Sequence, residues 1–317
     1  MLISIIATSM NEFDTIDEFI SRVDKSFENI EHEHEYEIIF IDDRSTDGSL
    51  SKIENYCSKD SRIKLILMSR NFGRHECFFA GFEASKGDAV VTLDSDLQDP
   101  PELIPRLLDQ MISQKSDVVH SIMKSRAGES SLKLFLTSVS YSILKKTCTP
   151  SMPVNSGYFK ISSRRVVDEI IKIGEVDSYF KGFFTWVGFN QSYLEYDREA
   201  RSAGETQFSI FGHRPYKDFL KAVTSYSYMP LYLITVLTLM ITLISILIGI
   251  FNLISNGIHK YISIIVSDVR VGVILLMGSA ICFILSIIGL YLIQIHSSTR
   301  GRPRYIVEKS INLEGIK

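Results

Sequence analysis

Cysteine is scarce and scattered. Cys57, Cys77, Cys148 and Cys282 form no Cys-x-x-Cys pair and no metal-ligand spacing, so neither a disulfide framework nor a structural zinc site is indicated. A dominant charge is missing too. The 34 Lys+Arg nearly balance 37 Asp+Glu, for a net charge of −3, which argues against a strongly basic nucleic-acid binder and an acidic disordered tail. The apolar start, Met1 to Met10, has no basic region before it and runs at once into Glu12 and Asp14. It reads as a first strand rather than a signal peptide, and the polar part of the chain is expected in the cytosol. The common phosphate cradles, Gly-x-x-x-x-Gly-Lys-Ser/Thr and Gly-x-Gly-x-x-Gly after the first apolar run, are absent as well.

One region lacks charge almost entirely. From Met229 to Ile295 the charged residues are Lys260, Asp268 and Arg270 alone, and this concentration explains a positive mean hydropathy. Ala222 to His259 and Val271 to Thr299 are each free of charge and exceed the ~20 apolar residues that cross a bilayer as a helix. Spans are expected near Met229–Ile254 and Val271–Ile295. Arg214, Lys217 and Lys221 precede the first, and Arg300, Arg302, Arg304 and Lys309 follow the second. Cations on both outer flanks put both termini in the cytoplasm and the short loop outside. The expected organisation is a catalytic-type domain over 1–210, a juxtamembrane amphipathic segment over 211–228, two transmembrane helices within 229–295 and a cytoplasmic tail over 296–317. A second basic amphipathic helix, carried by Leu132, Phe135, Leu136, Val139, Ile143 and Leu144, suits either the membrane surface or a core.

In the polar domain, Ile- and Val-rich runs at Leu2–Ala7, Tyr36–Ile41, Ile63–Leu67, Ala89–Leu93 and Asp117–His120 alternate with helical stripes such as Phe13, Ile16, Ile20, Val23 and Phe27. This alternation predicts an α/β fold with a parallel sheet covered on both faces. Ligands in such sheets sit beyond the carboxyl ends of the strands. Four of these ends are polar: Thr8-Ser9-Met10-Asn11-Glu12, Asp42-Asp43-Arg44-Ser45-Thr46-Asp47-Gly48, Ser69-Arg70-Asn71-Phe72-Gly73-Arg74 and Asp94-Ser95-Asp96-Leu97-Gln98-Asp99. Asp94, Asp96 and Gln98 offer hard oxygen donors at alternate positions, suited to Mg²⁺ or Mn²⁺ bridging phosphate oxygens. Asp43 could accept hydrogen bonds from a base or a ribose. A metal-dependent nucleotide site is the economical reading.

Together these motifs, with Gly87-Asp88 and Pro100-Pro101-Glu102, resemble glycosyltransferase family 2, and within it the polyprenyl-phosphate branch that includes dolichol-phosphate mannose synthases and bacterial undecaprenyl-phosphate glucosyltransferases. The resemblance runs over nearly the whole chain. It implies a GT-A (Rossmann-like) domain with a C-terminal two-helix transmembrane hairpin, a nucleotide-sugar donor, a divalent metal and inverting transfer of a hexose to a lipid phosphate. The most favoured version is glucose from UDP-glucose, with GDP-mannose, UDP-GlcNAc or UDP-galactose as alternative donors. By the same resemblance Asp94, Asp96 and Gln98 hold the metal. Thr8, Asn11, Glu12, Asp43, Arg70 and Ser95 line the nucleotide site, and Arg198 and Arg201 approach the acceptor phosphate. Arg126 stands in for an arginine where Met123 now sits. The implied location is the bacterial inner membrane, multi-pass, with a lipid-linked-sugar flippase and a second copy of the chain as further admissible partners and no nucleic acid. Departures are Thr8 and Met10 in place of Pro and Tyr, Gln207 in place of Lys, and Tyr158 where many relatives carry an Asp. The last is chemically tolerable, because a phosphate acceptor is already anionic and needs little help from a base.

Overall fold

The computed structural model describes residues 1–28, 30, 34–123, 142, 147–148, 156–175, 179–197, 213–255 and 263–315. The expected five strands are all present: β1 (Leu2–Ser9), β2 (Glu35–Asp42), β3 (Ile63–Met68), β4 (Ala89–Asp94) and β5 (Val118–Met123). Three more follow, β6 (Ser156–Ser163), β7 (Gln191–Tyr196) and β8 (Val307–Ile311). The helices are α1 (Ile16–Phe27), α2 (Ser49–Lys59), α3 (Arg74–Ala84), α4 (Ile104–Ser113), α5 (Arg164–Ile173), α6 (Phe180–Trp186), α7 (His213–Tyr226), α8 (Met229–Ser255) and α9 (Ser263–Thr299).

All eight strands join one sheet in the order β7-β5-β6-β4-β1-β2-β3-β8. The β1, β2, β3 and β4 pairings are parallel, while β6 and β8 enter antiparallel. Central strands read as unbroken apolar runs because helices cover both faces. Ile3, Ile5, Phe40 and Val91 pack with Phe19, Ile53 and Leu107 under α1, α2 and α4. Ile6, Ile39, Ile41 and Val90 pack with Phe78, Val167 and Phe180 under α3, α5 and α6. Strand order reverses at β1, which has β2 on one side and β4 on the other. Such a switch point opens a crevice at the carboxyl edge. Register fills that edge with polar residues, since Thr8 lies opposite Asp94 and Ser9 opposite Asp42.

Within the segment 211–228 the chain forms α7. Among the described residues one helical stretch, Met277–Thr299, is by itself long and apolar enough to cross a membrane, and none of its apolar window is buried. Phe219–Tyr226 with Met229–Ile244, bent by 75°, meets the same measure as a pair. Of the two expected spans, then, one stands alone, and the first half of the hairpin satisfies the measure only together with α7. The candidate helix at 132–144 lies outside the described residues apart from Ser142.

Candidate functional site

Thr8 and Asp94 end neighbouring strands, and the Thr8 hydroxyl donates to Asp94 Oδ1 at 2.6 Å. The other oxygen, Oδ2, lies 3.0 Å from Nη1 of Arg74, the first residue of α3. Asp94 is therefore aimed and half neutralised before any ligand arrives. Beyond it the chain turns through Leu97, a left-handed residue at φ 58°, and Gln98 donates its backbone N–H to Asp96 Oδ1 at 3.1 Å. Asn11 and Arg44, in the turns after β1 and β2, also hold positive φ at 58° and 71°. Such conformations cost of order 1 kcal/mol each and persist where surrounding structure imposes them, often at functional sites.

Asp96 is 7% exposed. Burial, then the charge of Asp94, pushes its carboxyl up to about 6. A cation placed beside it would favour the ionised form of Asp96. Among the described residues no three His, Cys, Asp or Glu side chains gather as a metal cage. Mg²⁺-like cations take one or two carboxylates from protein and the remaining oxygens from a substrate's phosphates. The donor set here, Asp96 with Asp94 beside it, fits a divalent cation shared with a diphosphate. Asp99 is committed elsewhere, accepting from the Tyr196 hydroxyl at 2.5 Å.

The remaining candidates divide into scaffold and surface. Both oxygens of Asp43 accept backbone N–H groups, from Phe72 at 2.7 Å and Gly73 at 2.9 Å, so this acid ties the end of β2 to the start of α3. Each oxygen keeps a lone pair for a further donor, so the expected contact with a base or ribose is compatible with those bonds. Ser95 is fully buried and donates its hydroxyl to Thr8 O at 3.0 Å, stitching β4 to β1. Asn11 Oδ1 accepts from Thr46 N at 2.8 Å, and Glu12 N donates to Ser49 Oγ at 3.0 Å, lacing the loops after β1 and β2 together. Arg70 is exposed, with its guanidinium 3.8 Å from the Phe72 ring centroid. Arg126, Arg198 and Arg201 lie outside the described residues.

Sequence reasoning did not assign Arg74 or the residues around it. His75 Nε2 lies 2.8 Å from the Tyr158 hydroxyl. Burial, followed by the charges of Lys221, Arg74 and Lys181, holds the His75 imidazole down at about 3, so the ring is neutral. Tyr158 therefore meets a partner that carries no charge. The one signal for Arg74 was its place at the end of the Ser69–Arg74 motif, four residues past the Arg70 that drew attention. Deeper in the fold, Lys160 is buried, with Nζ 4.1 Å from the Phe184 ring centroid and no hydrogen-bond partner among the described residues. Burial drives its amine well below the lysine range.

Comparisons with known proteins bear on the family of the chain. The profile of glycosyl transferase family 2 matches residues 4–171, from β1 through most of α5. A bactoprenol glucosyl transferase of Shigella phage SfX is 33% identical over 97% of this chain and 99% of its own length. An uncharacterized glycosyltransferase of Synechocystis is 31% identical over 98% of this chain and 96% of its own. Among solved structures, glucosyl-3-phosphoglycerate synthase from Mycobacterium tuberculosis shares 16% identity at a TM-score of 0.47, over 70% of this chain and 79% of that one, too distant to bear on chemistry. The strand-edge motifs, the sheet that carries them and the matched profile together place the chain in glycosyl transferase family 2, in its polyprenyl-phosphate branch, as a glycosyltransferase of the GT-A fold.

Proposed function

We propose that the chain transfers glucose from UDP-glucose to a polyprenyl phosphate at the cytoplasmic face of a bacterial membrane. The observation that carries this reading is the likeness, across both the polar domain and the apolar helices, to bactoprenol glucosyl transferases. In the proposed site a divalent cation, Mg²⁺ or Mn²⁺, would neutralise charge developing on the leaving diphosphate. Asp96 is its principal holder, and Asp94 is oriented beside it by Thr8 and Arg74. Gln98 keeps Asp96 in place through its backbone N–H. A phosphate oxygen of the acceptor forms the new bond to the anomeric carbon. The bond from that carbon to the diphosphate breaks on the opposite face, and its electron pair leaves with UDP, so the configuration inverts. Nothing in this step needs a side-chain base, which is consistent with Tyr158 facing a neutral His75.

The two-span anchor is part of the proposal. β1 and β8 belong to the same sheet, so the chain leaves the domain through α7 and comes back to it after α9. If Met277–Thr299 crosses the bilayer, a second crossing must bring the chain back, and α8 is the helix available. Its outward residues Tyr232, Leu239 and Leu243 are 70%, 65% and 59% exposed, an apolar surface suited to lipid. A flippase and a second copy of the chain are further partners this reading admits, and the transfer step itself calls on neither.

Asp96→Ala tests the site. The variant should fold with an unchanged unfolding midpoint and lose UDP release by about 100-fold or more. Wild-type turnover in a folded Asp96→Ala protein would remove the cation site from the account. A screen of UDP-glucose, UDP-galactose, UDP-GlcNAc and GDP-mannose settles the donor, with UDP-glucose expected to support the highest turnover.

A further inference from the structure

A transfer to phosphate needs somewhere to put the phosphate, and the acids at the strand ends would repel it. On the sheet face covered by α3 and α6, however, cations from three separate elements converge. The Arg74 guanidinium carbon is 5.2 Å from the Tyr158 ring centroid, and Lys181 Nζ of α6 is 4.7 Å from the same centroid. The charge of Lys221 on α7 adds, after burial, to the lowering of the His75 imidazole. Arg74 shares its charge with Asp94. Lys181 donates to Ser156 O at 2.9 Å and has no carboxylate at ion-pair distance among the described residues. Bringing like charges together over an uncharged His–Tyr pair is unfavourable unless an anion joins them. The place is also open, since the Arg74 side chain is 36% exposed and Lys181, His75 and Tyr158 are half-buried.

Position says which anion. Gly182 follows Lys181 and lies flat against Tyr226 at the end of α7, so close that a Cβ there would fall 2.3 Å from the Tyr226 ring. The next residue, Ser227, accepts at its carbonyl from the Tyr291 hydroxyl of α9 at 3.0 Å, and Ser225 Oγ accepts from Gln294 Nε2 at 2.7 Å. Tyr228 and Tyr232, 74% and 70% exposed, stand at the bend where aromatic side chains favour the lipid–water boundary. A continuous run of contacts thus joins the apolar helices to Lys181, to Arg74 and on to Asp94.

We propose that Arg74, Lys181 and Lys221 form the seat of the acceptor lipid's phosphate, with the Tyr158–His75 pair as its floor. This rests on the reading of the chain as a polyprenyl-phosphate transferase. The guanidinium offers a fixed fork of donors and the two ammonium groups offer point charges. Through its ion pair with Asp94, Arg74 sets the bound phosphate beside the carboxylates that face the donor.

The test uses the full chain in phosphatidylcholine nanodiscs and measures binding of undecaprenyl phosphate, undecaprenol, inorganic phosphate and UDP. The wild type should bind undecaprenyl phosphate well ahead of undecaprenol. Lys181→Ala and Lys221→Ala should each weaken it about tenfold, with UDP affinity and unfolding midpoint unchanged, and Lys181→Arg should restore it. Equal binding of the two lipids by the wild type, or alanine variants that bind the lipid phosphate as the wild type does, would overturn the seat. A parallel loss of UDP affinity would assign the cations to the donor, and competition by inorganic phosphate at the lipid's own concentration would make the site a generic anion site. A wild type that binds the lipid phosphate at this seat but transfers no sugar to it from any donor would sink the proposed function and leave the seat standing.

Discussion

Asp43, Asp94 and Asp96 all stand at carboxyl ends of strands in one sheet, where a sequence ranks them alike as ligands. Packing separates them. Asp43 accepts the N–H groups of Phe72 and Gly73, Asp94 is shared by Thr8 and Arg74, and burial with the charge of Asp94 pushes the Asp96 carboxyl up to about 6. A strand-end acid serves backbone or ligand according to the loop that arrives from elsewhere, and no motif encodes that arrival. Lys160 shows the same blindness from inside. Nothing in the sequence marks it as a buried amine lacking a hydrogen-bond partner among the described residues. Burial holds its amine well below the lysine range, so the unfolded chain binds the proton more readily and stability rises with pH towards the ordinary lysine range. Lys160→Met should remove that slope and raise stability at pH 7 by about 1 kcal/mol or more. Thermal unfolding at pH 7 and pH 9 reads both effects, and an unchanged slope would mean the amine is charged in the fold.

The strands of the parallel core were legible because each is a short apolar run ending in polar residues, and the helices between them carry clean stripes. The antiparallel additions were not. Val307–Ile311 is five residues long with Glu308 and Lys309 inside it, and only its pairing with β3 makes it a strand. It is held as well by Asn312 Nδ2, which donates to Cys57 O and Ile63 O at 2.8 Å each. The contact between α6 and α7 was equally hidden, since Gly182 and Tyr226 are far apart in the chain and neither belongs to a motif. Gly182→Ala should force Tyr226 aside and destabilise the protein by about 1–3 kcal/mol, the range for overpacking. Lipid-dependent turnover should fall further than UDP binding, because the change separates the membrane junction from Lys181 and not from Asp96. Equal losses in both would show that α6 and α7 act only as scaffold.

Seen whole, the chain ties a polar sheet to apolar helices at two places, through α7 into α8 and through α9 back into β8. On the proposed anchor, the return of β8 to the domain sheet calls for an even number of crossings. A reporter active only outside the cytoplasm should work when fused after Ser255 and fail when fused after Thr299, and the reverse pattern would invert the anchor. The central claim, that this family 2 enzyme uses a lipid phosphate as its acceptor, is tested most directly by UDP release from purified protein. With UDP-glucose and Mn²⁺ present, release should rise steeply on adding undecaprenyl phosphate and stay at background with undecaprenol. Release that proceeds equally with neither lipid present would contradict the claim.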